Sequence, residues 1–274
     1  MLEGQMIALS VRDFFTKSML KIAFLPLIIT MIIMLILFYG AADYGFDSLQ
    51  VYIENSQNAQ NQEVFVDPNA PFYYIWATTV IAFLFQYSVT AWLVGFLFYT
   101  IGTLFVMMFS VFLTIIIIGF LTPFILDIIQ KRHYPEIKTN GFGNILSPLW
   151  VLFRSGLIMV LMFLVFIPLY FIPLVNIIAF NIPFYYFFHK LLNYDIASTI
   201  LTKNEYSAIH TKKASSFRVR SLFLYLLSMI PFITLFTAVF YIIYLGHGYF
   251  QELRKIRENE NSIINSMQRK QIED

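Results

Sequence analysis

Few side chains in this sequence are suited to chemistry. Histidine is the side chain most often used for proton or metal chemistry, and the four present, His133, His189, His210 and His247, share no ligand spacing on a single helix. His189 and His247 are nonetheless related, because an offset of 58 residues superposes them, and it also superposes Ile172-Pro173 on Ile230-Pro231 and Tyr186 on Tyr244. Two readings of this pair stay open: a shared proton or metal site at the inner mouth of a membrane protein, or two amphipathic rings at the interface. The other polar groups expected at depth are Asn176, Asn181, Thr234, Thr237 and Gln86. Asn176 and Thr234 each follow a hinge proline by three residues, where the exposed N–H groups of a helix start attract anions. The same position favours Asn and Thr as plain helix caps. The apolar spans carry no Asp, Glu or Lys at depth, unlike most proton- or sodium-coupled carriers. GxSxG, HExxH and phosphate-loop motifs are missing and there is no cysteine, so neither an enzyme nor a cofactor is expected.

The elements that must position these residues are membrane helices. A chain of 274 residues with 59% hydrophobic and 12% charged residues and a mean hydropathy of +0.71 is a multi-pass membrane protein. Ser155 to His189 holds 35 residues without a formal charge, fenced by Arg154 and Lys190. As one straight helix it would run roughly 50 Å, too long for a hydrocarbon core of about 30 Å. A break at Pro173 gives two arms folded back on one another, a hairpin inserted from one face. Ser221 to Leu253, fenced by Arg220 and Arg254, repeats the design around Pro231, with a first arm (Ser221 to Ile230) about 15 Å long that cannot span. Two such tips at membrane depth point to a polar path between them; ordinary kinked hairpins are the plainer alternative.

All 18 Lys and Arg lie in residues 12–21, 131–154, 190–220 and 254–270, whereas Gly40 to Pro71 carries five acids and no base. The positive-inside rule therefore places 40–71 outside as a polar, mobile loop, and both termini in the cytoplasm. No signal peptide is read at the N-terminus. Residues 6–20 alternate as an interfacial amphipathic helix, with Arg12, Asp13 and Lys17 on its polar face. Ile22 to Tyr39 is a first span of 18 residues, and a second long helix ends near Leu121-Thr122-Pro123 after an interfacial or tilted segment around 72–87. The expected fold is thus an all-α integral membrane protein with two long transmembrane helices, two proline-hinged re-entrant hairpins and interfacial amphipathic helices. Residues 1–255 form one membrane domain with a cytoplasmic linker at 191–220, and 256–274 form a polar cytoplasmic tail, helical and then disordered.

Three short stretches carry a family likeness: Lys21-Ile-Ala-Phe-Leu-Pro-Leu-Ile28, Thr122-Pro-Phe-Ile-Leu126 and Met229-Ile-Pro-Phe-Ile233. In this order the chain resembles the CysZ sulfate permeases, part of a broader etoposide-induced-protein-like membrane family, from about residue 12 to 255. The resemblance implies a bacterial inner-membrane permease for sulfate or a similar small oxyanion, assembled as a homo-oligomer in the lipid bilayer, with no nucleic acid partner. It also implies an anion site just before the first span, at Ser18, Met19, Leu20 and Lys21, where the family has a Gly-Leu-Arg-Arg-like turn. Lys21 stands in the place of an Arg and would meet the anion as a point charge, with the amides of Leu20, Lys21 and Ile22 beside it. Leu126-Asp-Ile-Ile-Gln130 puts a glutamine where the family has a glutamate. Asn176 and Thr234 are the next candidates for the anion. The competing reading is a membrane protein without transport activity that organises lipids or partners through its basic inner face.

Overall fold

The computed structural model describes residues 3–59, 71–73, 75, 76, 80, 88–143, 146–230 and 233–273. These residues are mostly helical, without a strand among them. In chain order the main helices are α1 (Glu3–Phe14), α2 (Lys17–Ala59), α3 (Ser88–Phe120), α4 (Thr122–His133), α5 (Leu146–Val165), α6 (Ile167–Tyr170), α7 (Val175–Ile200), α8 (Lys203–Ser228) and α9 (Ile233–Glu273). Among the described residues, three segments are long and apolar enough to cross a membrane: Lys17–Gly45, Gly95–Phe120 and Ser147–Val165. The chain divides into two compact units, one of residues 1–26 and 115–274 and one of residues 27–114.

The smaller unit is an antiparallel pair made by parts of α2 and α3. Thr30 Oγ1 lies 2.9 Å from Thr114 Oγ1, Tyr39 OH lies 3.1 Å from Thr103 Oγ1, and Tyr99 OH donates to Asp43 Oδ1 at 2.8 Å. Gly102 is required by this pairing, since a Cβ there would lie 2.2 Å from the Phe38 ring. The faces turned away from the pair carry Ile32, Ile36, Phe105, Met108 and Phe112, all exposed, as lipid-facing helices require. The hydroxyls at depth are satisfied locally, Ser110 on the Val106 carbonyl and Thr114 on the Ser110 carbonyl.

The larger unit is built around α9. From Val239 to Phe250 every residue of this helix is buried, against Met6 of α1, Ile125 and Ile129 of α4, Ile196 and Ile200 of α7, and Phe217 and Leu224 of α8. The loop 134–143 runs along the end of α7, with the Asn140 amide on the Ile200 carbonyl and the Gly143 amide on the Ser198 carbonyl. Gly141 permits that approach, because a Cβ there would sit 2.7 Å from the carbonyl oxygens of Ser198 and Thr199.

Helix boundaries among the described residues flank both prolines. α7 starts at Val175 and α9 at Ile233, again 58 residues apart. α5 and α7 pack antiparallel through Phe163 against Phe180 and Phe184, with Gly156 facing Phe187. Leu174 at the tip takes φ 67° and ψ −39°, a sparsely populated positive-φ conformation that costs a non-glycine residue roughly 1–3 kcal/mol. Other expectations shift. The stretch after Gly40 is not a loop at its start: α2 stays helical to Ala59, since no proline occurs between Pro26 and Pro68 to end it. The short arm Ser221–Ile230 is the end of the 26-residue α8, which begins at Lys203, so the linker 191–220 is mostly helix. α5 likewise begins at Leu146 rather than after Arg154, and α9 carries the tail to Glu273 as helix. The segment around 72–87 lies largely outside the described residues.

Candidate functional site

The break between α1 and α2 sets up the site. Phe15 and Thr16 separate the two helices, and Thr16 turns the chain by donating both its amide and its Oγ1 to the Asp13 carbonyl. On α1 the buried residues are Met6, Ser10 and Asp13, spaced four and three apart on one face, while Val11 and Phe15 are exposed. Asp13, expected on the polar outer face, is therefore the residue α1 turns inward, and it is only 2% exposed.

Three side chains from two helices meet its carboxylate. His247 of α9, fully buried, places Nε2 2.9 Å from Asp13 Oδ2. His133, the last residue of α4, places Nε2 2.8 Å from Oδ2 and 3.0 Å from Oδ1. Arg132 donates from Nη1 to Oδ1 at 2.8 Å. The second ring nitrogen of His247, Nδ1, lies 3.1 Å from Tyr134 OH, and Tyr134 stacks on Phe250 under the guanidinium of Arg254. Burial alone would raise the Asp13 carboxyl, but hydrogen bonds from His247, His133 and Arg132 outweigh it and hold the group well below the usual carboxylate range. Burial raises the Tyr134 phenol, against the pull of Gln251 and Arg254, which keeps its proton in place.

His189, the repeat-mate of His247, has other company. Its Nδ1 accepts from Asn193 Nδ2 at 3.1 Å, and the same amide donates to Ser221 Oγ at 2.7 Å. Asn193 Oδ1 accepts from Tyr249 OH at 2.9 Å. An imidazole nitrogen that accepts a hydrogen bond is unprotonated, so His189 sits in a neutral network. His247 thus finds His133 as its partner histidine, with ring centroids 5.3 Å apart.

The residues singled out for the anion are dispersed. Ser18 and Lys21 are exposed on one face of α2, whereas Met19 is fully buried in the core and Leu20 is half-buried. The amide of Leu20 donates to the Thr16 carbonyl at 2.9 Å, so the helix start lies at Lys17, one turn before the place the sequence indicated. Asn176 is exposed in the first turn of α7, and its amide donates to the Ile172 carbonyl. Thr234 falls in the first turn of α9, with its side chain outside the described residues. Among the described residues no hydrogen bond joins Ser18 or Lys21 to Asn176. A second basic place appears instead at Arg220, whose Nε and Nη2 bond Glu3 Oε1 at 2.9 and 2.5 Å, in a cavity of about 370 Å³ that Ser216, Phe223 and Tyr244 also line.

Sequence reasoning missed Asp13 and His133. The available signal was that Asp13 is the lone acid among the bases of residues 12–21 and shares a helix face with Met6 and Ser10. In comparison with known proteins, the family model described as Sulfate transporter CysZ/Etoposide-induced protein 2.4 matches residues 6–238 of the chain. No curated protein and no solved structure matches.

Proposed function

Because the chain belongs to the Sulfate transporter CysZ/Etoposide-induced protein 2.4 family, we propose that it is a permease passing sulfate or a similar small oxyanion across a bacterial inner membrane. The family match, covering residues 6–238, is the observation that carries this reading. Its anion-binding part is the start of α2, where Lys17, Ser18 and Lys21 lie within the first turn and a half and all three are exposed. The first amides of an α-helix lack intrahelical partners and sit at the positive end of its dipole, so an oxyanion there meets N–H groups, a hydroxyl and ammonium groups together. Met19 serves that site by anchoring the turn in the core. Asn176 and Thr234 would offer a second contact at the hairpin tips.

The re-entrant topology belongs to the same proposal, and charge placement supports it. Although Ser147–Val165 is long enough to cross, it carries Arg154 near its middle, and a charge at the bilayer centre costs about 2.5–3.5 kcal/mol. Inserting the helix only from Arg154 onward leaves 11 residues before its end at Val165, roughly 17 Å, about half the hydrocarbon core. Past Arg220, α8 continues only to Ser228, roughly 12 Å. Arms this short, with exposed tips such as Phe171, Leu174 and Ile178, are best shielded inside a homo-oligomer. Both termini and the basic segments then face the cytoplasm.

Uptake of radiolabelled sulfate into proteoliposomes tests the proposal. Flux above that of empty vesicles is expected, and Lys21→Gln should weaken sulfate binding by roughly ten- to a hundredfold, since a charge-assisted hydrogen bond is worth about 1.5–3 kcal/mol. Folded protein that gives no flux above empty vesicles would replace this reading with a non-transporting scaffold that organises lipids or partners.

A further inference from the structure

We propose that Asp13, His133 and His247 form a binding site for a first-row divalent cation of zinc type, stapling α1 to α4 and α9. The three residues come from segments 120 and 234 positions apart in sequence, yet their ligand atoms all lie within 4.8 Å of one another. Both histidines present Nε2 to the same carboxylate oxygen, Asp13 Oδ2, at 2.8 and 2.9 Å. Two imidazoles and one carboxylate suit zinc, cobalt or nickel, whereas magnesium and calcium prefer all-oxygen shells.

The surroundings are those a metal site needs. Metal-bound histidines orient through their second nitrogen, and bound carboxylates are themselves hydrogen-bonded. Here Tyr134 OH stands 3.1 Å from Nδ1 of His247, and Arg132 engages Asp13 Oδ1 at 2.8 Å, which leaves Oδ2 as the single ligand oxygen. Asp13 and His247 are buried, while the His133 side chain remains 24% exposed. The cation can therefore enter past His133, and a water can take a fourth position. Metal–ligand bonds of about 2.0–2.1 Å in a tetrahedron hold ligand atoms roughly 3.3 Å apart, so each histidine must draw back from Asp13 Oδ2 by about half an ångström. The binding step balances: the proton on His247 Nε2 shifts to Nδ1 and is donated to the Tyr134 oxygen, and that of His133 shifts likewise to its own Nδ1. The metal replaces both on the Nε2 lone pairs.

Such a site would hold α1 against α4 and α9, independently of any anion bound at Lys21. The probe is zinc itself, titrated calorimetrically into the full-length, chelator-treated protein in detergent, with cobalt absorption as a second readout. One equivalent per chain is expected, with visible d–d bands for cobalt and a higher Tm in the presence of zinc. Asp13→Asn and His133→Ala should each weaken binding at least tenfold, whereas His189→Ala should leave it unchanged. His133 is at the surface, so its variant carries the test should Asp13→Asn fail to fold. Zinc binding that is absent, or equally strong in His133→Ala, overturns the site and leaves a purely hydrogen-bonded cluster. Sulfate flux is measured separately, so failure of either proposal is distinguishable from failure of the other.

Discussion

α7 and α9 are the second arms of two hairpins that share a repeat, yet one lies outside and the other inside. Both start two residues after an equivalent proline, and both run through an apolar stretch to a histidine. The first half of α7 shows Val175, Ile177, Ile178 and Phe180 on its surface, while α9 is buried from Val239 to Phe250. Repeat symmetry therefore fixes where a helix begins but not what covers it. Coverage comes from neighbours that the repeat does not copy: α1 and α4 lie over α9, and the matching faces of α7 meet mainly α5. The two histidines inherit this difference, His189 among neutral amide and hydroxyl groups and His247 against a carboxylate.

The largest expected effect breaks or upholds this contrast directly. Phe250 is fully buried and Ile178 is 64% exposed. Phe250→Ala should cost about 3–5 kcal/mol by removing a core ring, and thermal unfolding in detergent would show it as a large fall in Tm. Ile178→Ala should cost about 0.5 kcal/mol or less, because its methyls already face an apolar medium. Equal losses at the two positions would mean that α7 is as covered as α9, and the contrast would fail.

How much of this could be read from residues alone follows from the range of each cause. Proline acts locally, so the helix starts at Val175 and Ile233 were legible. Charge placement marked Arg154 and Arg220 as fences, although the helices themselves run through them, because a single arginine does not interrupt a helix. The polar stretch from Gly40 to Ala59 was mistaken for a loop, since polarity marks exposure and not backbone conformation. The inward turn of Asp13 was hidden for a different reason. Its partners arrive from α4 and α9, and a periodic pattern on α1 carries no record of them.

Within α7 the contrast sharpens toward the far end, where Ile196, Ala197 and Ile200 enter the core and leave the neighbouring Asp195 half-buried. Burial raises the Asp195 carboxyl, against one hydrogen bond from Thr122 Oγ1 at 2.7 Å. A raised acid favours its protonated form in the folded state. Its contribution to stability is thus complete below about pH 4 and is lost as pH rises through the folded value. Glu205 behaves oppositely: burial raises it, but the Thr202 amide and hydroxyl and Arg257 lower it further, so its contribution holds above about pH 4.5 and is lost as pH falls below that. Asp195→Asn should flatten the decline in Tm between pH 4 and 8, and at pH 8 it should be as stable as the parent or more so. A decline with the same slope in the variant would refute the assignment.

The smallest effect lies at the junction of the two hairpins, where Leu201 and Thr202 alone join α7 to α8. The Glu205 amide donates to Thr202 Oγ1 at 3.3 Å and the Thr202 amide donates to Glu205 Oε2 at 2.8 Å, a reciprocal capping box. Arg257 of α9 then holds the other carboxylate oxygen, Oε1, at 3.0 Å, so the cap also ties the start of α8 to the tail end of α9. Thr202→Ala removes the hydroxyl and should cost about 1 kcal/mol, while Thr202→Ser, which keeps it, should cost much less. Glu205→Gln retains an oxygen for the Thr202 amide but turns an NH2 group toward Arg257, losing the charge and the acceptor of one partly exposed ion pair, so its effect should be smaller than that of Thr202→Ala. The ordering is read from Tm values of the three variants at pH 7. Were Glu205→Gln the most damaging, the ion pair to α9 rather than the helix cap would be what holds the two hairpins together.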